Sequence, residues 1–289
     1  MKNQWGEHML IKDAIQIMKD YCKGIGFDGK PIDDFKTRDK ILYGNPNQEI
    51  TGIVTTCYAS VEVIHKAIQL GANFIIVHEA LFWNHGDHTD WLKDNKTFQY
   101  KKALLDEGNI CVWRNHDYIH SGIPLKDGTY TDGIFYGVME ELGWTNYLIG
   151  DIHRPVLFEF PETTVHEFGH MLKQKLNLNG VKIIGSLDSP VKKVWIPGHI
   201  DGRIDNQILE TMEKENIDTL VVLECTDYTV AEYVRDSTMS HLPKTIIALG
   251  HFNSEEPGMK YMLKYLPEVL NIDVKMTFIP CTDMFTFVK

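Results

Sequence analysis

An apolar run in this chain ends abruptly in two side chains able to bind a metal or move a proton. Phe74-Ile75-Ile76-Val77 is short, β-branched and aromatic, the pattern of a buried strand, and His78-Glu79 follows it directly. Ligands of open α/β sheets gather at the carboxyl ends of strands, so the doublet stands where chemistry is expected. The loop behind it adds Trp83 and His85, the nearest side chains for shaping a substrate pocket, and then Asp87 and His88. Taken alone, this stretch reads equally well as a polar strand exit with surface histidines. The pattern recurs, however. Ile246-Ile247-Ala248-Leu249-Gly250 runs into His251-Phe252-Asn253-Ser254-Glu255, and Ile110 to Trp113 runs into a loop holding His116, Asp117 and His120. Histidine with a nearby carboxylate suits zinc, iron or manganese. The structural alternatives are a helix cap with Glu255 at the positive helix end, and a solvated loop around His116. Three strand ends that all pair histidine with a carboxylate make coincidence the weaker account.

The sharpest short motif is a different one: His166-Glu167-Phe168-Gly169-His170, an HExxH. On a helix this spacing can put two histidines on one zinc with the glutamate as general base of a metalloprotease. Val165, Phe168, Leu172 and Leu176 form the apolar stripe of that segment, which turns both histidines to the opposite, wet face. Lys173 and Leu176 occupy the positions of the glycine and third histidine of the extended motif. The protease reading is therefore a minor alternative.

The elements that must position these groups alternate. Helical stripes over Leu10–Cys22, Val61–Ile68, Lys96–Glu107, Thr131–Leu142, Thr164–Leu176 and Ile204–Glu215 are separated by short apolar runs, with a further helix expected from about Pro257. That alternation predicts an α/β fold with mostly parallel or mixed sheets flanked by helices. An internal echo accompanies it. GIVTTCYASVEVIHKA with IIVHEA resembles LVVLECTDYTVAEYV with IIALGHFNSE, which makes His78 and His251 equivalent ends of two related α/β units.

Composition bounds the function classes. The 289 residues are 43% hydrophobic and 24% charged with a net charge of −11, which disfavours nucleic acid and anionic membrane as partners. No apolar run approaches the ~20 residues of a membrane span, and the start lacks the pattern of a signal peptide. Five dispersed cysteines without a CxxC pair fit reduced thiols in a cytoplasmic protein.

The stretches TGIVTTCYASVEVIHKAIQLGANFIIVHEALFW, NHDYIHSG with GIFYGVMEELGW, and IIALGHFNSEEPG together resemble the NIF-three-like dinuclear metal-centre family, also labelled GTP cyclohydrolase-like. The resemblance spans nearly the whole chain in order. It implies two divalent metal ions, zinc, iron or manganese, held by His78, Glu79, His120, His251 and Glu255. Glu79 stands where a second histidine is usual and His120 where an aspartate is usual, an exchange that preserves the donor inventory. His116 matches a histidine of the family loop and is expected to stand behind the metal ligands or to face substrate, with Glu79 as the group that relays a proton. The resemblance also implies a homo-oligomer. The expected function is a metal-dependent hydrolase that activates a bridging water, with a small-molecule substrate such as a nucleotide or purine-type ring. A non-catalytic metal-binding regulatory or scaffold protein is the alternative. The expected domains are 1–125 with 241–289 around an inserted 126–240.

Overall fold

The structure, a computed structural model, describes residues 8–84 and 86–288. In chain order the elements are α1 (Ile11–Tyr21), β1 (Ile41–Tyr43), β2 (Ile53–Thr55), α2 (Val61–Gln69), β3 (Phe74–Val77), α3 (Lys96–Glu107), β4 (Cys111–Arg114), α4 (Asp117–Ser121), β5 (Ile123–Pro124), β6 (Tyr130–Thr131) and α5 (Gly133–Leu142). There follow β7 (Leu157–Thr164), α6 (Val165–Lys175), β8 (Lys182–Ile184), β9 (Pro190–Ile200), α7 (Asp205–Lys214), β10 (Thr219–Cys225), α8 (Val230–Met239), β11 (Thr245–Ala248), α9 (His251–Tyr261), α10 (Leu266–Leu270) and β12 (Met276–Phe278). The chain divides into two compact units, Met1–Gly137 with Glu256–Cys281, and Val138–Glu255 with Thr282–Lys289.

The first unit is built on a five-stranded sheet in the order β1-β4-β3-β2-β12. β4, β3, β2 and β12 are parallel and β1 is an antiparallel edge. β3 is buried along its whole length, which is why its sequence is a continuous apolar run and not an alternating one. The Ser60 side chain accepts from the Val63 amide and starts α2; Gly71, at φ +67°, ends it in a conformation that other residues rarely adopt. The α2 face made by Val63, Ile64 and Ala67 packs with Leu104 and Leu105 of α3 against Val54, Ile75 and Val77. Burying such a stripe contributes about 25 cal/mol per Å² of apolar surface, and this fixes β3 in the middle of the sheet.

The second unit repeats the plan. Its sheet runs β7-β9-β10-β11-β8, with β9, β10 and β11 parallel and the two edges antiparallel. Ile208 and Met212 of α7 and Val230 and Val234 of α8 cover Leu220, Val222 and Ile246. The echo in the sequence therefore corresponds to two βαβ units, β2-α2-β3 and β10-α8-β11, each a pair of parallel strands joined through a helix.

Two local expectations need correction. The segment after β4 is not all loop: residues 117–121 close one turn of helix, α4. The helix expected from Pro257 begins six residues earlier at His251, and Pro257 lies inside α9. A proline marks a helix start only because it lacks an amide donor, and here the flanking residues hold the helix without that bond. The Ser254 amide and hydroxyl both donate to the Gly250 carbonyl, at 3.1 and 2.8 Å. Among the described residues no helix is long and apolar enough to cross a membrane. The five cysteines are free thiols.

Candidate metal centre

In the first unit three imidazoles meet where β3 and β4 end. His78 is fully buried, and its Nδ1 lies 3.1 Å from the Asn115 carbonyl oxygen. A ring nitrogen facing a carbonyl must carry the proton, so the lone pair of His78 sits on Nε2. His116 stacks on it at 4.6 Å between centroids and 14° between planes. His120 stands edge-on to both, 5.0 Å from each. α4 is the reason for that meeting: one helical turn separates His116, its cap, from His120, and brings both rings to the same side.

Each ring is held from behind. His120 Nδ1 lies 2.8 Å from Asp132 Oδ2, a carboxylate 2% exposed, which again leaves the lone pair on Nε2. Asp132 is itself fixed, since its other oxygen accepts from the Ile134 and Phe135 amides at the start of α5. His116 donates from Nδ1 to Asp117 at 2.9 Å and has Arg38 Nη1 3.3 Å from Nε2. Burial, helped by the neighbouring His120 and Arg38, pushes the His116 pKa down, so the neutral ring is favoured at neutral pH. Asp39 ties the turn to the rest of the unit by accepting from the amides of His116, Asp117 and Tyr118 at 2.7–2.9 Å. Burial raises the Asp39 pKa to about 6, although those three amides oppose the shift.

His78, His116 and His120 offer ligand atoms within 4.8 Å of one another, a spacing that one cation can bridge. Beside them Asn115 contributes an observation of its own. It is 2% exposed, and its Oδ1 has no hydrogen-bond partner among the described residues. A buried carbonyl oxygen without a donor is costly, and a cation at these strand ends would relieve it. Glu79, directly after His78, is 7% exposed, and its amide donates to the Cys57 carbonyl.

In the second unit His251 opens α9 and Glu255 lies one turn along it, with Nε2 to Oε2 at 3.2 Å. A regular i,i+4 helical pair is what brings the two side chains together. On its other side His251 Nδ1 lies 3.1 Å from Glu224 Oε2, and His199 Nδ1 lies 2.8 Å from Glu224 Oε1. His199, Glu224 and His251 thus cluster at the carboxyl ends of β9, β10 and β11 and form a second group within 4.8 Å. Burial raises the Glu224 pKa, but hydrogen bonds from His199 and His251 outweigh it and bring the value to about 2.

Other candidates are spent elsewhere. Asp87 accepts both guanidinium nitrogens of the buried Arg114, at 3.1 and 2.7 Å. Trp83 is 42% exposed and donates from its indole nitrogen to the Tyr58 hydroxyl. His85 lies outside the described residues. The HExxH helix packs Phe168 against Trp144 and Phe160, while His166 and His170 are exposed. Glu167 accepts from the Thr163 hydroxyl, the work of a helix start. Asp132, Glu224 and His199 were missed in the sequence. Leu220 to Leu223 running into Glu224 repeats the signature of β3 running into His78-Glu79 and was open to detection. Asp132 reads from sequence only as a helix cap, and His199 lies inside a strand.

The profile of the Duf34/NIF3 (NGG1p interacting factor 3) family matches residues 31–284. A GTP cyclohydrolase 1 type 2 homolog of Clostridium perfringens is 24% identical over 279 residues, 92% of this chain and 95% of that protein. A homolog of the same description from Chlamydia trachomatis is 25% identical over 226 residues, 77% of this chain and 82% of its own length. Among solved structures, a Bacillus cereus protein related to NIF3 superposes with a TM-score of 0.71 at 17% identity, covering 97% of this chain and 99% of that one. That likeness concerns the fold. The profile match extends across most of the sequence, and the chain belongs to the Duf34/NIF3 family.

Proposed function

We propose that the chain is a metal-dependent hydrolase in which His78, Glu79, His120, His251 and Glu255 hold two divalent cations, with a nucleotide or purine-type ring as substrate. One observation carries the reading. His78 and His120 each commit Nδ1 to an oxygen acceptor and so carry a lone pair on Nε2, and with His116 they offer ligand atoms within 4.8 Å of one another. This is the donor chemistry that zinc, iron or manganese takes. The bound cations would supply Lewis acidity and a water acidified toward neutral pH.

The chain's own residues do the rest. Asp132, the Asn115 carbonyl and Glu224 stand behind His120, His78 and His251 and fix which nitrogen of each ring carries the proton. Arg38, held beside His116, presents a guanidinium to negative charge on a substrate. Glu79 is the nearby carboxylate for moving a proton. The names carried by the curated relatives support hydrolysis of a purine ring as the reaction.

Asp132→Ala is expected to weaken zinc binding roughly 10- to 100-fold in competition with a chromogenic chelator, because His120 loses the group that orients it. The reading itself is tested with Glu255→Gln, assayed for loss of guanine absorbance from GTP. Turnover is expected to disappear with an unchanged thermal midpoint. Full turnover by this variant, or by protein stripped of metal, would refute the hydrolase reading.

A further inference from the structure

In the second unit a cavity of about 270 Å³ lies at the carboxyl ends of β10 and β11. Its walls are mainly apolar: Phe252, Phe285, Phe287, Met284 and Leu249. The tail that carries three of these is tied down. Asp283 accepts from the Asn179 amide at 2.8 Å and from Asn253 Nδ2 at 3.1 Å, and Asn179 Nδ2 donates to the Phe285 carbonyl at 2.8 Å. Two glycines let the rings come close. A Cβ at Gly180 would lie 2.6 Å from the Phe287 ring, and one at Gly250 would lie 2.8 Å from Phe285. The aromatic wall is therefore a built surface.

The polar part of the lining includes Glu224, His251 and Lys182, whose Nζ lies 5.0 Å from the centre of the Phe285 ring. Glu224 is a pure acceptor whose two oxygens offer about four lone-pair sites, and the two histidines leave some of them open to the cavity. Asn253 is engaged with Leu249 and Asp283, and the Cys225 thiol donates to the Thr226 carbonyl. These two faces restrict the occupant. A sugar would bury hydroxyls against phenyl rings, which is unfavourable without partners. A phosphate or carboxylate would meet the Glu224 charge, while the Lys182 ammonium is drawn over the Phe285 ring. A saturated hydrocarbon would leave the acceptor without a donor. A flat ring with N–H groups on its edge satisfies both.

We propose that this cavity binds a planar heteroaromatic ring, its faces against Phe252, Phe285 and Phe287 and an N–H edge turned to Glu224. The proposal deepens the hydrolase reading in one respect, since His251 on the cavity wall is a proposed metal ligand, but ring binding itself needs no metal. The test titrates the full-length protein with xanthine, caffeine and ribose 5-phosphate, followed by ligand-observed NMR. Xanthine has ring N–H groups; caffeine is the same flat ring system with those positions methylated; ribose 5-phosphate has no aromatic ring. Xanthine is expected to bind at least about 10-fold tighter than caffeine, and ribose 5-phosphate not to compete. Phe285→Ala is expected to weaken xanthine about 10-fold, the scale of one lost stacking contact, with metal content unchanged. Glu224→Gln is expected to reduce the preference for xanthine over caffeine. Equal binding of the two purines, displacement by ribose 5-phosphate, or an unaltered xanthine affinity in Phe285→Ala would overturn the proposal. Wild-type protein stripped of metal by a chelator is expected to bind xanthine unchanged, so a failure of the Glu255→Gln test would fall on the hydrolase reading and leave this one standing.

Discussion

Exchange of His78 for alanine is expected to lower the metal bound per chain, measured by plasma mass spectrometry, and to weaken what remains by well over roughly 10- to 100-fold. That range is the cost of losing a group that only orients a ligand; loss of the ligand costs more. His78 is fully buried, its tautomer is set by the Asn115 carbonyl, and its ring stacks on His116. The other imidazoles cannot take its place, since Asp132 fixes the ring of His120 and Asp117 and Arg38 that of His116 where they stand. His166→Ala is the control, because that histidine sits on the exposed face of α6. Retention of all metal in His78→Ala together with its loss in His166→Ala would reverse the assignment.

The second large effect concerns Lys101, a fully buried lysine in α3. Its Nζ donates to the Leu81 carbonyl at 2.6 Å and lies 4.4 Å from the centre of the Tyr58 ring. The rings of Phe82 and Trp83 are 5.6 and 5.7 Å away. The carbonyl and the ring faces favour the ammonium, yet burial pulls the pKa down to about 7. In the unfolded chain the amine titrates near 10.4. Above that pH neither state carries the proton. As the pH falls toward 7 the unfolded chain is protonated first and is favoured; below about 7 both states are charged and the difference stays constant. Stability attributable to Lys101 therefore rises with pH between about 7 and 10.4, by roughly 5 kcal/mol at most. Lys101→Met keeps the stem and removes the amine. Urea unfolding across that window should show a rising difference between wild type and variant, with wild type gaining as the pH increases. A constant difference would mean that Lys101 stays charged inside its aromatic cage.

The strand exits were legible in the sequence because both are physically simple. β3 and β11 are covered on both faces, so they read as unbroken apolar runs, and the first polar residue after each marks the carboxyl end. Helices with a full apolar stripe, such as α2 and α6, were legible for the same reason. α4 was not. A five-residue helix has no stripe to detect, and Asp39, which holds it, lies 77 residues before His116. α9 was shortened in the reading because Pro257 resembles a helix start, whereas α9 runs through it from His251. His199 escaped because its meeting with Glu224 depends on which strands are neighbours, and register between β9 and β10 is a tertiary property.

The pairing of β12 with β2 has a consequence for how the chain is made. Met276 lies opposite Ile53, so β2 gains its outer neighbour in the first sheet only after the strands of the second sheet have been made. At about 5–20 residues per second, β2 waits on the order of ten seconds or more for that partner, while every strand of the second sheet is synthesised. During that time its outer edge offers unpaired amides and carbonyls to any passing strand. Crowding of nascent chains on one message would raise the chance of mispairing there, and a chaperone that shields short strand edges would serve this protein best before residue 276 emerges.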